Sequence, residues 1–146
     1  MNSINVLLVA ALHDECKQQI AAVSPRIKLL DAAGPWKPPD KVTPDRFQDI
    51  SSDKLNDYLP QAEVLYGYTP PKNLVSRAPR LKWFQTMLAG VDHFLDDELK
   101  NSAVVITNVS GIHAAPIAEY VLHFMLMFAK QAPFCFLNKQ QKKWER

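Results

Sequence analysis

Five short apolar runs, separated by stretches with helical spacing, constrain this chain more than any other feature of it. The runs cover residues 4–10, 26–30, 63–68, 81–86 and 103–107. The first, Ile-Asn-Val-Leu-Leu-Val-Ala, is apolar almost throughout, as a strand covered on both faces of a parallel sheet must be. Between the runs lie four helical stretches. Residues 13–23 turn Ile20 and Val23 inward and close at Pro25, and residues 53–58 begin at the cap Ser51-Ser52-Asp53 and stop at Pro60. Residues 73–78 end at Pro79, and residues 95–100 precede the fifth run. Strands alternating with helices in this way build βαβ units and hence a parallel, doubly wound α/β sheet. Five strands suit the flavodoxin-like order 2-1-3-4-5, with helices on both faces. Residues 34–39, Gly-Pro-Trp-Lys-Pro-Pro, read as an irregular surface loop.

Composition excludes several classes. The chain has 146 residues, 47% apolar and 22% charged, which suits a globular protein with a core of ordinary size. A net charge of +2, with dispersed Lys and Arg, does not suggest nucleic acid as a partner. Lys139, Lys142 and Lys143 form the nearest thing to a basic run and read as a solvated helix face. Cys16 and Cys135 stand far apart; without a secretory leader they read as reduced thiols, and the chain as cytoplasmic. No His or Cys pairing has metal-ligand spacing, so no metal site is expected. Residues 117–128 are apolar but short of the ~20 a bilayer needs, and Glu119, His123 and Lys130 lie on or beside them. No membrane role is expected.

In open α/β sheets ligands bind beyond the carboxyl ends of the strands. Three turns occupy that edge: Gly67-Tyr68-Thr69, Leu88-Ala89-Gly90-Val91 and Ser110-Gly111-Ile112-His113. Glycine lets backbone approach a ligand and turns N–H groups outward, which suits a carboxylate. From the residues alone Gly67 and Gly90 read equally as tight-turn glycines. Gly90 is expected at a positive φ, where a β-branched residue would be strained.

Residues 85–93, Gln-Thr-Met-Leu-Ala-Gly-Val-Asp-His, and residues 107–119, Thr-Asn-Val-Ser-Gly-Ile-His-Ala-Ala-Pro-Ile-Ala-Glu, carry a family resemblance. In this order and spacing the chain resembles the substrate-binding half of the D-isomer-specific 2-hydroxyacid dehydrogenases, strongly over residues 63–128 and loosely before them. The resemblance implies that Ala89 and Gly90 offer backbone N–H groups to a substrate carboxylate and that Tyr66 and Gly67 line the same cleft. It places His113 near where substrate and nicotinamide meet. A histidine there departs from the small polar residue usual in the family, and reads equally as a surface turn residue. Ile117 matches an apolar position beside the nicotinamide. The implied reaction is hydride transfer between NAD or NADP and C2 of a small D-2-hydroxy or 2-oxo acid, of glyoxylate, hydroxypyruvate or phosphoglycerate type.

Other parts of such an enzyme have no counterpart in these residues. Gly34, Gly67, Gly90 and Gly111 are too dispersed to form the G-x-G-x-x-G turn that admits a pyrophosphate to a helix N-terminus. The family's catalytic Arg, Glu and His lie downstream of the matched region, and His13, His93 and His123 do not take their place. The expected organisation is therefore a flavodoxin-like substrate domain over 1–110, then a crossover helix and the start of a nucleotide-binding domain over 111–146. These residues alone are expected to bind no NAD and to be inactive. The last helix, residues 116–130, is apolar on almost every face and is expected to be long, to be buried on all sides, and to form a homodimer contact. The competing reading is a free-standing, non-catalytic flavodoxin-like binding or dimerisation module. A phospho-receiver would need an aspartate where the third run ends in Tyr66-Gly67-Tyr68, and a flavin module a hydroxyl-rich loop where the chain has Ala11-Leu12-His13-Asp14.

Overall fold

A computed structural model describes residues 3–36 and 53–144. They form two compact units, which meet between Ser110 and Gly111. The first unit runs β1 (Ile4–Leu8), α1 (Asp14–Ala22), β2 (Ile27–Asp31), α2 (Asp53–Tyr58), a 3-10 turn (Leu59–Gln61), β3 (Val64–Gly67), α3 (Leu74–Arg77), β4 (Trp83–Thr86), α4 (Asp97–Lys100) and β5 (Val105–Thr107). The second holds α5 (Ala114–Ala129) and α6 (Ala132–Gln140). The five strands are parallel, in the order β2-β1-β3-β4-β5. This is the expected flavodoxin-like topology.

Alternation along the strands sorts side chains onto two faces. Leu7, Leu30, Leu65 and Phe84 point to one face and pack against Leu55, Leu59, Leu74 and Leu99 from α2, the 3-10 turn, α3 and α4. Val6 and Leu8 point to the other, where Cys16 and Ile20 of α1 cover them. Helices therefore lie on both faces. The register places Gly67 opposite Thr86, which sets the turn after β3 beside the turn after β4. Lys17 of α1 meets Asp31 at the end of β2 at 2.7 Å, and the same carboxylate accepts from Gly34 N–H at 2.9 Å, so the turn after β2 is tied back to α1. Asp96 caps α4 by accepting from Leu99 N–H at 2.8 Å.

Several expected boundaries move. β4 begins at Trp83 rather than Leu81, and β5 at Val105 rather than Ala103, because the paired register between them starts at Trp83 opposite Val105. α4 begins at Asp97, since Asp96 is spent as its cap. Ser51 and Ser52, expected to cap α2, and Lys37 to Pro39 of the predicted loop lie outside the described residues.

The last helix lies within two residues of its expected span, 116–130. It starts at Ala114, two residues ahead of Pro116, a proline the first turn tolerates because its N–H would be unpaired there. α5 ends at Ala129, Gln131 takes a left-handed φ of 53°, and α6 leaves at 61° to α5. Pro133 supplies the reason: its ring would clash with the carbonyl four residues back, that of Ala129. No single helix among the described residues is long and apolar enough to cross a membrane. Along α5 Tyr120, Met125 and Phe128 are 64%, 63% and 73% exposed, and only Met127 on the helix is half-buried.

Phe84 has no exposed surface and sits in the centre of the larger core. Phe84→Ala is expected to lower the unfolding free energy by about 3–5 kcal/mol, measured by urea denaturation. A loss below about 1 kcal/mol would show that this face of the sheet is not the core.

Candidate functional site

The carboxyl edge of the sheet is organised around one buried hydroxyl. Thr86, the last residue of β4, has no exposed surface. Its Oγ1 donates to the Tyr68 carbonyl at 2.5 Å and accepts from Leu88 N–H at 3.1 Å. One side chain thus joins the turn after β3 to the turn after β4. Backbone bonds reinforce the link: Met87 N–H donates to the Gly67 carbonyl at 2.8 Å, and Val109 N–H to the Leu88 carbonyl at 3.2 Å. The Asn108 amide donates to the Ala89 carbonyl at 2.8 Å and so clamps the same turn from the β5 side.

What this leaves is an exposed Ala89-Gly90 pair on a braced loop. Among the described residues the N–H groups of Ala89 and Gly90 have no hydrogen-bond partner. Residues 87–91, Met-Leu-Ala-Gly-Val, carry no ionisable side chain. Such a loop can receive an anionic oxygen pair through backbone donors alone.

Gly90 departs from its expected positive φ. Gly90 is not at a positive φ, and a Cβ built on it would meet nothing within 4 Å. Its absent side chain leaves open space beside the free N–H groups rather than relieving backbone strain. Gly67 is buried, and a Cβ there would fall 2.3 Å from Cγ2 of Val9. The demand for glycine at that position comes from close packing of β1 against β3.

Tyr66 precedes Gly67 in β3 and, by strand alternation, presents its side chain to the α1 face beside Val64. Burial raises the pKa of its phenol above the usual range. Its backbone serves the edge, with its carbonyl accepting from Val9 N–H at 2.9 Å. His113 is exposed at the start of α5 with φ −95°, makes no side-chain capping bond, and its carbonyl accepts from Ile117 N–H at 3.0 Å. Ile117 is 59% exposed on the first turn of that helix. The β3–β4 pairing thus brings Gly67 and the Ala89-Gly90 loop side by side, while His113 and Ile117 belong to the second unit.

Sequence reasoning passed over Thr86 and Asn108, which shape the loop. The available signal was a short polar residue closing an apolar strand, and an asparagine directly after the fifth run. Among the described residues no group of three His, Cys, Asp or Glu is placed to hold a metal. Nor does any described turn supply the glycine-rich cradle a dinucleotide pyrophosphate needs; α1 is entered through Ala10-Ala11-Leu12-His13.

Residues 7–141 match the family described as D-isomer specific 2-hydroxyacid dehydrogenase, catalytic domain. The chain therefore belongs to the D-isomer specific 2-hydroxyacid dehydrogenases, and the part it matches is their catalytic domain. Among curated relatives, the erythronate-4-phosphate dehydrogenase of Psychromonas ingrahamii is 32% identical over 68 residues, 47% of this chain and 18% of that protein. The crystal structure of a family protein from Aeromonas salmonicida superposes with a TM-score of 0.63 at 23% identity, covering 99% of this chain and 41% of that one. Phosphoglycerate dehydrogenase from Lactobacillus plantarum gives 0.51 at 30% identity, covering 97% and 40%. D-Lactate dehydrogenase from Aquifex aeolicus, solved with NAD and lactic acid, gives 0.57 at 18% identity, covering 97% and 39%. The chain thus spans about two-fifths of the solved structures it resembles.

Removing the Thr86 hydroxyl tests the brace. Thr86→Val keeps the shape but takes the acceptor from the Leu88 N–H, and is expected to cost about 1–3 kcal/mol. Hydrogen exchange should accelerate at Leu88 and in the loop after it. Unchanged exchange in a stable variant would show that the loop does not depend on this hydroxyl.

Proposed function

We propose that this chain is the substrate-binding portion of an oxidoreductase that transfers a hydride between NAD or NADP and C2 of a small D-2-hydroxy or 2-oxo acid. The observation that carries the reading is the braced Ala89-Gly90 loop, with two unpartnered N–H groups and open space beside them, at the carboxyl edge of the sheet. The family match supports the same reading. Names among the relatives, phosphoglycerate, erythronate-4-phosphate and lactic acid, share a hydroxyl next to a carboxylate. In this reading the carboxylate accepts from Ala89 and Gly90, and the Tyr66-Gly67 turn walls the cleft. His113 contacts the substrate, and Ile117 offers an apolar surface to the nicotinamide. Residues 1–110 form the substrate domain, and 111–146 the crossover to a nucleotide-binding half. The described residues do not fit a dinucleotide, so no proton or hydride step is assigned to them. Their task is to bind and orient the acid.

The test is an amide chemical-shift titration of the 146-residue chain. Glyoxylate is expected to shift the Ala89 and Gly90 amides saturably, and NADH to give no saturable binding in calorimetry. Gly90→Val has room and no φ penalty, so the variant should fold with unchanged thermal stability. It should nonetheless weaken glyoxylate binding about tenfold or more, the loss of one hydrogen bond to a charged group at about 1.5–3 kcal/mol. Unchanged glyoxylate binding by a folded variant would remove the loop from the site.

Exposed Tyr120, Met125, Leu126 and Phe128 support a second part of the proposal, a homodimer through the helix of residues 116–130. Light scattering coupled to size exclusion should give twice the 16.5 kDa chain mass at micromolar concentration. A monomer at high micromolar concentration would contradict it and favour a free-standing module.

A further inference from the structure

The two unpartnered N–H groups of the loop belong to successive peptide units, and each unit is held by its carbonyl. The Ala89 N–H shares a peptide with the Leu88 carbonyl, and the Gly90 N–H shares one with the Ala89 carbonyl. A peptide is planar, and these are trans, so its oxygen and its hydrogen point in opposite directions. Fixing the one therefore aims the other. The Leu88 carbonyl accepts from Val109 N–H at 3.2 Å, and the Ala89 carbonyl accepts from Asn108 Nδ2 at 2.8 Å. Both oxygens are thus turned toward the chain just after β5, and both N–H groups away from it. Successive N–H groups on one side of a turn form the concavity that takes an anion.

Asn108 is itself pinned. Its Oδ1 accepts from Ser110 N–H at 3.4 Å, so a single orientation of the amide serves both ends, oxygen to Ser110 and nitrogen to Ala89. β5 ends at Thr107, directly before it, and Thr107 stands opposite Gln85 in the β4–β5 register. Strand pairing thereby sets where the amide stands. Of the two bonds that aim the donors, the one from Val109 comes from the main chain, and the one from Asn108 alone depends on a side chain.

We propose, resting on the reading of the Ala89-Gly90 loop as a carboxylate site, that Asn108 is a positioning residue for that carboxylate. It touches no part of the acid. It acts through the Ala89–Gly90 peptide, holding the Gly90 N–H in the direction a carboxylate oxygen requires before any acid arrives. A bond accepted at the Ala89 carbonyl also polarises the peptide and strengthens its N–H as a donor. Aspartate at this position would donate nothing and would set a carboxylate against the Ala89 carbonyl. Without the bond the peptide is free to turn, and an arriving acid has to order it, a cost that is read as lost affinity.

Amide relaxation of the 146-residue chain without ligand tests the aiming. In the unaltered chain the Gly90 N–H is expected to be as ordered as a strand amide, with an order parameter of about 0.85, and in Asn108→Ala to fall below about 0.6. The Ala89 N–H, aimed by the Val109 main chain, should keep its order. Asn108→Asp retains the size and the acceptor for Ser110 and removes the donor, and should repeat the result if the alanine variant does not fold. Glyoxylate supplies a second readout. Asn108→Ala should bind it about tenfold more weakly. At saturation the Ala89 and Gly90 amides should nevertheless reach the same shifts as in the unaltered chain, because the bound arrangement is the same and only its cost has risen. A Gly90 N–H that is loose in the unaltered chain, or that stays ordered in the folded variant, would overturn the proposal. So would order lost equally over residues 87–91, or saturated shifts that differ, which would set Asn108 against the acid itself. If glyoxylate shifts neither amide in the unaltered chain, the carboxylate reading fails and the positioning role falls with it. The relaxation arm separates the two failures, since a Gly90 loosened by Asn108→Ala without glyoxylate binding marks the first, and an ordered Gly90 with binding marks the second.

Discussion

The buried hydroxyl of Thr86 is the interaction on which the candidate site depends. It is wholly buried, and that burial is tolerable because both of its hydrogen-bonding roles are filled. Those partners lie on two different turns. The hydroxyl therefore converts a sheet register, Gly67 opposite Thr86, into a fixed distance between two loops. Asn108 holds the same loop from the third side. The exposed Ala89-Gly90 pair is thereby held by its neighbours on both sides, while its own N–H groups have no partner among the described residues. Preorganisation of this kind spares a ligand the cost of ordering a flexible loop.

Topology was legible because it rests on periodicity. Five apolar runs at βαβ spacing admit few arrangements, and the observed order β2-β1-β3-β4-β5 is the one expected. Boundaries were less legible, because pairing rather than hydropathy ends a strand: Leu81 is as apolar as Phe84 and lies outside β4. The bend between α5 and α6 was written in Pro133 but obscured by the apolar residues on either side of it. At the carboxyl edge of the sheet, residue type alone did not disclose why glycine stands where it does. Gly67 is a glycine because of Val9, which is distant in sequence and adjacent only through the β1–β3 pairing. Gly90 needs no special φ. Thr86 and Asn108 escaped notice because a hydroxyl or an amide takes on a role only once the sheet has placed its partners.

The described residues contribute a rigid sheet, a braced backbone loop and no glycine-rich nucleotide cradle. A carboxylate can be held at such an edge by backbone donors whose geometry tolerates variation in the surrounding side chains. That fits a family whose relatives carry the names of several different acids on one fold.

Co-crystallisation of the chain with glyoxylate tests the central claim most directly. The account predicts the carboxylate bound at the Ala89-Gly90 loop, its oxygens about 2.9 Å from the two backbone nitrogens, with the Thr86 and Asn108 bonds retained. Glyoxylate bound elsewhere, or a loop whose Ala89 and Gly90 N–H groups are taken by the protein's own carbonyls, would contradict it.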